Sequence, residues 1–246
     1  MAAPFSIVRS DGDPPGPAPA LKLDAALQLL QHAGYTLPAL DSVGVDAWMQ
    51  ALINGLCRLS SHDALTGLAN RREFELAIAR EMDRVARTGE AALLLMIDID
   101  HFKQINDSHG HSIGDLALIS VARVLHASIR PMDTVARVGG EEFAIILPNC
   151  PLDFGLAAAE RVRSKVAQCE IPIGRHEPLR LTVSVGGAFA PIEPRPQGHH
   201  WLERADRQLY RAKAEGRNRS CLEPAPDGDA EAQLSMFGQS WFHTPE

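Results

Sequence analysis

Apolar positions along this chain follow two different spacings, and the switches between them outline the elements. Over residues 44–61, Val45, Met49, Leu52, Leu56 and Leu59 recur at steps of four and three, the stripe of an amphipathic helix. Residues 20–34 predict a shorter helix stopped at Gly34. From residue 61 helices and strands alternate. Leu65-Thr66-Gly67-Leu68-Ala69-Asn70 reads as a turn with a polar cap, and a charged amphipathic helix follows over 71–88. Ala91 to Ile97 is an unbroken apolar run, as expected of a central strand buried on both faces. Helices are predicted over 112–129, 151–169 and 199–216, and strands over 133–138, 143–147 and 179–190. Strands interleaved with helices, plus one hairpin at Gly139-Gly140, predict an α/β (α+β) sandwich.

Composition narrows the class. The 246 residues are 45% hydrophobic and 22% charged, which is ordinary globular usage. The formal charge of −7 sits at the ends: residues 1–60 carry three basic and five acidic side chains, and 221–246 carry five acids and no Lys or Arg. The middle is balanced, so the composition argues against a nucleic-acid binder, and a polyanion would have to be held by locally placed cations or metal. Cys57, Cys150, Cys169 and Cys221 show no CxxC spacing, which favours a reducing compartment over a disulfide framework. No apolar run approaches the ~18–20 residues needed to span a bilayer, and the first residues lack a charged-then-apolar signal layout. A cytoplasmic protein is expected. Five prolines in the first twenty residues predict a disordered leader over 1–19. Residues 20–60 then form a helical regulatory or dimerisation segment, 61–222 the main domain and 223–246 an acidic tail with Phe237, Trp241 and Phe242. The 45–59 stripe suits either a short coiled coil between two chains or packing within its own domain.

Candidate chemistry gathers at strand ends. Asp98 and Asp100 follow the buried run, and period two puts both carboxylates on one face. Glu141 and Glu142 stand at the tip of the hairpin. Carboxylates at neighbouring strand ends make a hard-oxygen site suited to Mg²⁺ or Mn²⁺, completed by substrate phosphates. The glycine pair is expected to allow positive φ in a tight turn and to clear space for a ligand.

Residues 98–107 (DIDHFKQIND), 139–143 (GGEEF) and 62–72 (HDALTGLANRR) together resemble the GGDEF family of diguanylate cyclases, which condense two GTP into cyclic di-GMP. The resemblance covers about residues 61–220 and implies a mostly antiparallel central sheet flanked by helices, like nucleotidyl cyclases and polymerase palms. It implies metal ligation by Asp98, Glu141 and the Ile99 carbonyl, with Glu141 also easing the proton off the attacking 3′-hydroxyl. Glu stands where the signature usually has Asp, and Glu142 is the adjacent acid. Asn106 and Asp115 correspond to the guanine readers, Phe102 and Leu118 to the base pocket, and Gly139 and Gly140 to the signature's substrate-side turn. Lys103, Lys213 and Arg217 correspond to phosphate-facing cations, and a helix running to 216 would put the last two on one face. Arg130-Pro131-Met132-Asp133, beginning nine residues before Gly139, resembles the family's inhibitory product site, with Arg161 as a second basic contact. The family acts as a homodimer, because one domain offers one GTP. The rival reading is a non-catalytic receptor or scaffold that binds GTP or cyclic di-GMP.

Other motifs carry less. His109-Gly110-His111 reads as a turn between helices, since it does not match a metal-binding helix pair. His62-Asp63 alone does not make a metallophosphohydrolase. No P-loop is present. Gly186-Gly187 inside a strand reads as a bulge or close packing.

Overall fold

The apolar run after Ala91 becomes the middle of a five-stranded sheet in the computed structural model, which describes residues 22–174, 177–191 and 198–224. The strands are β1 (Leu93–Ile99), β2 (Thr134–Arg137), β3 (Glu142–Leu147), β4 (Val183–Phe189) and β5 (Ser220–Leu222), in the order β2-β3-β1-β4-β5. β1 pairs antiparallel with β3 and β4, β2 antiparallel with β3, and β5 parallel with β4. The sheet is thus mixed, with one parallel edge. β5 was not predicted, because three residues after a polar turn carry too little pattern to register.

Every residue of β1 is buried, and period two divides them between two cores. Leu93, Leu95, Ile97 and Ile99 face α5 (Phe102–His109), α6 (His111–His126) and α7 (Leu152–Ala167), where Leu118, Val121, Leu125 and Val162 close the layer. Leu94 and Met96 face α4 (Arg71–Thr88) and α8 (Gly198–Ala214), meeting Phe74, Met82, Trp201 and Leu209. Asp98 and Asp100 continue the second set and therefore emerge beneath α8. Trp201 is fully buried and its indole N–H donates to the Ala188 carbonyl at 2.7 Å; truncation to Ala costs about 3–5 kcal/mol.

The Gly186-Gly187 pair serves close packing. A Cβ at Gly186 would lie 2.0 Å from the Leu209 amide nitrogen and one at Gly187 2.9 Å from Leu95. The register runs regularly through both, without a bulge. α8 can therefore press directly on β4.

Helix limits follow local chemistry. Asn70 caps α4 by accepting the Glu73 N–H at 3.0 Å, and Gly89 ends it at φ 70°. Gly110, at φ 83°, is the predicted turn between α5 and α6. α5 itself was not predicted from the motif residues it carries.

Before the sheet come α1 (Asp24–His32), the four-residue α2 (Leu40–Val43) and α3 (Val45–Ser61). Contacts divide the chain into two compact units between Cys57 and Arg58. Within the first, Leu30 and Leu52 are buried, and a Cβ at Gly55 would come within 2.8 Å of Leu30. The expected seam is therefore split: Leu52 is only 2% exposed while Val45 is 66% exposed. Residues 1–19 and most of the 223–246 tail, with its three aromatics, lie outside the described residues. Among the described residues no helix is long and apolar enough to cross a membrane.

Candidate active site

Asp98 stands opposite Glu142 on β3 and Ser184 on β4, so pairing of the three strands fixes its place. Its side chain is buried, and the Lys213 ammonium of α8 lies 2.7 Å from Oδ2. Burial raises the Asp98 pKa; Lys213 pulls it down, and the Glu142 and Asp100 charges push it up, leaving it above the usual value. Glu141 is likewise raised, first by burial and then by Asp98, with Lys213 opposing and Glu142 adding. Three carboxylates thus crowd one lysine. Asp206 on α8, seven residues and two turns before Lys213, belongs to the same field: burial and the Glu142 charge raise it against the pull of Lys213. Sequence reasoning missed Asp206, although the seven-residue interval from Lys213 marks a shared helix face.

Asp100 differs from Asp98 despite sharing its face. Its carboxylate accepts from the Ser184 and Thr182 hydroxyls, both at 2.6 Å, and from the Asn218 N–H at 3.0 Å.

The turn before β3 corrects one expectation. Neither Gly139 nor Gly140 has positive φ. A Cβ at Gly139 would lie 2.2 Å from Glu142 Oε2, so the missing side chain makes room for that carboxylate, while Gly140 opens to free space. Arg137, unremarked in the sequence, holds the turn from behind. It donates to the Gly140 carbonyl at 2.7 and 3.1 Å, and to the Asp63 carboxylate at 3.1 and 3.3 Å. Asp63 also accepts from the Thr66 N–H and hydroxyl at 2.8 and 2.6 Å. Burial alone would raise Asp63, but the Thr66 bonds and Arg137 outweigh it and hold its pKa low. The HDALTGLANRR motif is therefore tied to the signature turn.

The Lys213–Arg217 pair needs a correction. α8 ends at Ala214, and the chain reverses through Gly216, Arg217 and Asn218, with φ of 115°, 62° and 46°. Arg217 consequently lies beyond the helix and shares no helical face with Lys213. The three successive left-handed residues stop the helix despite its good composition.

Asn106 on α5 lies against α6: a Cβ at Gly114 would meet Asn106 Oδ1 at 1.9 Å and Phe102 Cζ at 3.4 Å. Gly114 thus lets Asn106 approach the residue next to Asp115. Asp115 is exposed, whereas Phe102 and Leu118 are buried in the core beneath. Lys103 is exposed on the first turn of α5.

At the start of β2 a second cluster forms. The Arg130 N–H donates to Asp133 Oδ2 at 2.7 Å, and its guanidinium stacks 3.7 Å from the Phe154 ring centroid. Arg161 lies 5.8 Å from the same ring and donates twice to the Ser128 carbonyl at 3.2 Å. Burial raises Asp133 above its usual value against the pull of the Arg130 N–H and both guanidiniums. Burial, reinforced by Asp133, pushes the Cys150 thiol up to about 12, so it stays protonated and unreactive at neutral pH.

The donor set of Asp98, Glu141 and the Ile99 carbonyl is all hard oxygen, and its mutual repulsion is what a divalent cation relieves. Among the described residues no group of three or more His, Cys, Asp or Glu forms a complete metal cage. The residues fit an ion whose remaining ligands come from water and substrate phosphate.

Comparison with known proteins gives these positions a family. The chain is 45% identical over 159 residues to diguanylate cyclase DgcM of Escherichia coli, covering 64% of this chain and 37% of that protein. It spans less than half the length of the curated relatives named for this activity that it matches. The coiled-coil and GGDEF portion of DgcB from Caulobacter crescentus, solved in complex with c-di-GMP, superposes with a TM-score of 0.68 at 30% identity, covering 82% of this chain and all of that one. The active GGEEF domain of a diguanylate cyclase from Vibrio cholerae superposes with a TM-score of 0.59 at 30% identity, over 65% of this chain and 99% of that one. Residues 60–219 match the family described as diguanylate cyclase, GGDEF domain, and the chain belongs to that family.

Proposed function

We propose that the chain is a diguanylate cyclase, joining two GTP into cyclic di-GMP with release of two pyrophosphates. The observation that carries this is the crowding of Asp98, Glu141 and Glu142 beside Lys213 at adjoining strand ends. The family and the similar active GGEEF domain support the Glu at position 141 as compatible with catalysis.

Asp98, Glu141 and the Ile99 carbonyl would hold Mg²⁺ or Mn²⁺, which when bound neutralises charge at the α-phosphate. Lys213, Lys103 and Arg217 face the phosphates. Asn106 and Asp115 pair with the guanine edge, rejecting adenine because its edge presents the wrong donors and acceptors to them. Phe102 and Leu118 form the floor beneath the base. In each of two steps a 3′-oxygen attacks an α-phosphorus: the 3′ O–H bond breaks, an O–P bond forms, and the bond to pyrophosphate breaks. Glu141 takes the proton. Glu142 holds the field around it.

A single chain presents one such site, so two chains act together, and GTP as substrate puts the work in the cytoplasm. The divisions at residues 1–19, 20–60, 61–222 and 223–246 form part of this reading, with 20–60 as the pairing segment. Its exposed apolar residues include Leu29, Leu40, Val43, Val45, Ile53 and Leu59, with Val45 and Ile53 both on α3. Val45→Glu with Ile53→Glu therefore lowers dimer content by sedimentation, whereas substituting buried Leu52 would unfold the segment.

The Arg130, Asp133 and Arg161 cluster is the product-inhibition site in this reading. The stacked Arg130 guanidinium keeps its edge for guanine or phosphate. The similar DgcB domain was solved with c-di-GMP.

Incubation with GTP and Mg²⁺, followed by mass analysis, tests the whole reading. Cyclic di-GMP in the products supports it. Tight GTP binding with no product favours the receptor.

A further inference from the structure

We propose that Asp100 is a positioning residue, holding the left-handed Arg217–Asn218 turn that aims Arg217 at the terminal phosphates of the nucleotide. The inference rests on the cyclase reading for its substrate and on the structure for its geometry.

Asp100 is 5% exposed. Oδ1 accepts from Ser184, and Oδ2 accepts from Thr182 and from the Asn218 N–H. A carboxylate offers about four lone-pair sites. Three are taken, so Asp100 is poorly placed to ligate a cation, although it shares a strand face with Asp98.

The third of these bonds spans 118 residues of sequence to reach a turn that needs support. Asn tolerates the left-handed region through its short polar side chain, but Arg has no such relief. Here both adopt it in succession, at φ 62° and 46°. Asn218 is gripped from two sides. Asp100 holds its N–H, and Arg163, itself paired with Glu160, donates to its side-chain oxygen at 2.6 Å. The Arg217 N–H is spent on the Ala212 carbonyl at 3.0 Å. The backbone of Arg217 is thus fixed at both ends, while among the described residues no carboxylate pairs with its guanidinium. A cation on a held backbone with no protein partner is oriented for a ligand.

The experiment compares binding of 3′-deoxy-GTP, which cannot react, with GMP, which lacks the terminal phosphates, by titration calorimetry. Asp100→Asn puts an amide donor against the Thr182 and Asn218 donors. Expected is a loss of about tenfold in 3′-deoxy-GTP affinity with GMP unchanged within about twofold, since only the triphosphate uses a charge-assisted contact to Arg217. In an Arg217→Ala background the same substitution adds about twofold or less, because both act through one contact. Equal losses for both nucleotides, no loss, or full additivity would overturn the proposal. Arg163→Gln loosens the other grip from a more peripheral position and decides the matter if Asp100→Asn does not fold: a loss confined to 3′-deoxy-GTP supports it and an unselective one sinks it. A parent protein that binds neither nucleotide refutes the cyclase reading instead, and this inference with it.

Discussion

The hairpin of β2 and β3 carries opposite charge problems at its two ends. At the turn, burial first and then neighbouring carboxylates raise the affinity of Asp98 and Glu141 for protons, and Lys213 pairs with Asp98. Four residues of β2 away, about 13 Å, Arg130 and Arg161 converge on the ring of Phe154. The guanidiniums have compensation that the carboxylates lack: an aromatic face, the Ser128 carbonyl for Arg161 and the nearby charge of Asp133. A cluster left in repulsion is completed by what binds it, which in the proposed reading is a cation and phosphates. A cluster already compensated can stand empty and respond to a ligand that fits its planes. In the cyclase reading proposed above, chemistry belongs to the first end and regulation to the second.

The largest effect should come from the acidic end. Asp98→Asn or Glu141→Gln should cut cyclic di-GMP formation roughly a hundredfold or more, since each removes a ligand and a charge from the reacting centre. Circular dichroism should show a folded domain, because repulsion is relieved. Near-normal turnover would break the assignment. At the arginine end Arg130→Ala should leave initial turnover within about twofold and raise the cyclic di-GMP concentration for half inhibition by about tenfold or more. Equal inhibition of parent and variant would reduce that cluster to a structural one.

Long, strongly patterned elements were legible from the residues alone. The apolar run before Asp98, the 71–88 helix and the hairpin all lie where period and caps put them. What escaped depends on contacts distant in sequence. Asp98 and Asp100 are indistinguishable as letters two apart; only β4 and the Asn218 turn separate a carboxylate left to a lysine from one filled by three donors. Arg137 reads as a strand residue until Asp63, 74 positions earlier, meets it. The glycines of the signature suggested positive φ; neither has it, and Gly139 instead makes space for Glu142. Leu52 fitted a seam, but its neighbours within α1–α3 had claimed it.

A smaller effect belongs to the base. Asp115→Ala should weaken GTP binding several-fold to about tenfold, as guanine donors lose their acceptor, and narrow the preference over ATP. Asn106 should not compensate, since its oxygen lies against Gly114. Unchanged discrimination between the two nucleotides would move base recognition elsewhere.

The smallest effect, and the sharpest on sign, is pH. Asp98 and Glu141 are raised above the usual carboxylate range, chiefly by burial. Protons should therefore compete with metal at higher pH than for ordinary carboxylates near 4, and turnover should rise with pH through the raised values. Stability should move the other way across that window. The folded state holds those protons more tightly than the unfolded chain, so unfolding free energy falls as pH rises from the unfolded to the folded pKa. Asp63 has the opposite sign. Its folded pKa is lowered by Thr66 and Arg137, so its stabilisation is full above the unfolded pKa and lost as pH falls through the folded one. Asp63→Asn should thus flatten the steep loss of melting temperature at the acid extreme while leaving the acid limb of turnover in place. Melting curves and steady-state rates measured over one pH series check both. A turnover limb that coincides with acid unfolding, or that shifts in Asp63→Asn, would mean that the acidic end feels only the stability of the fold.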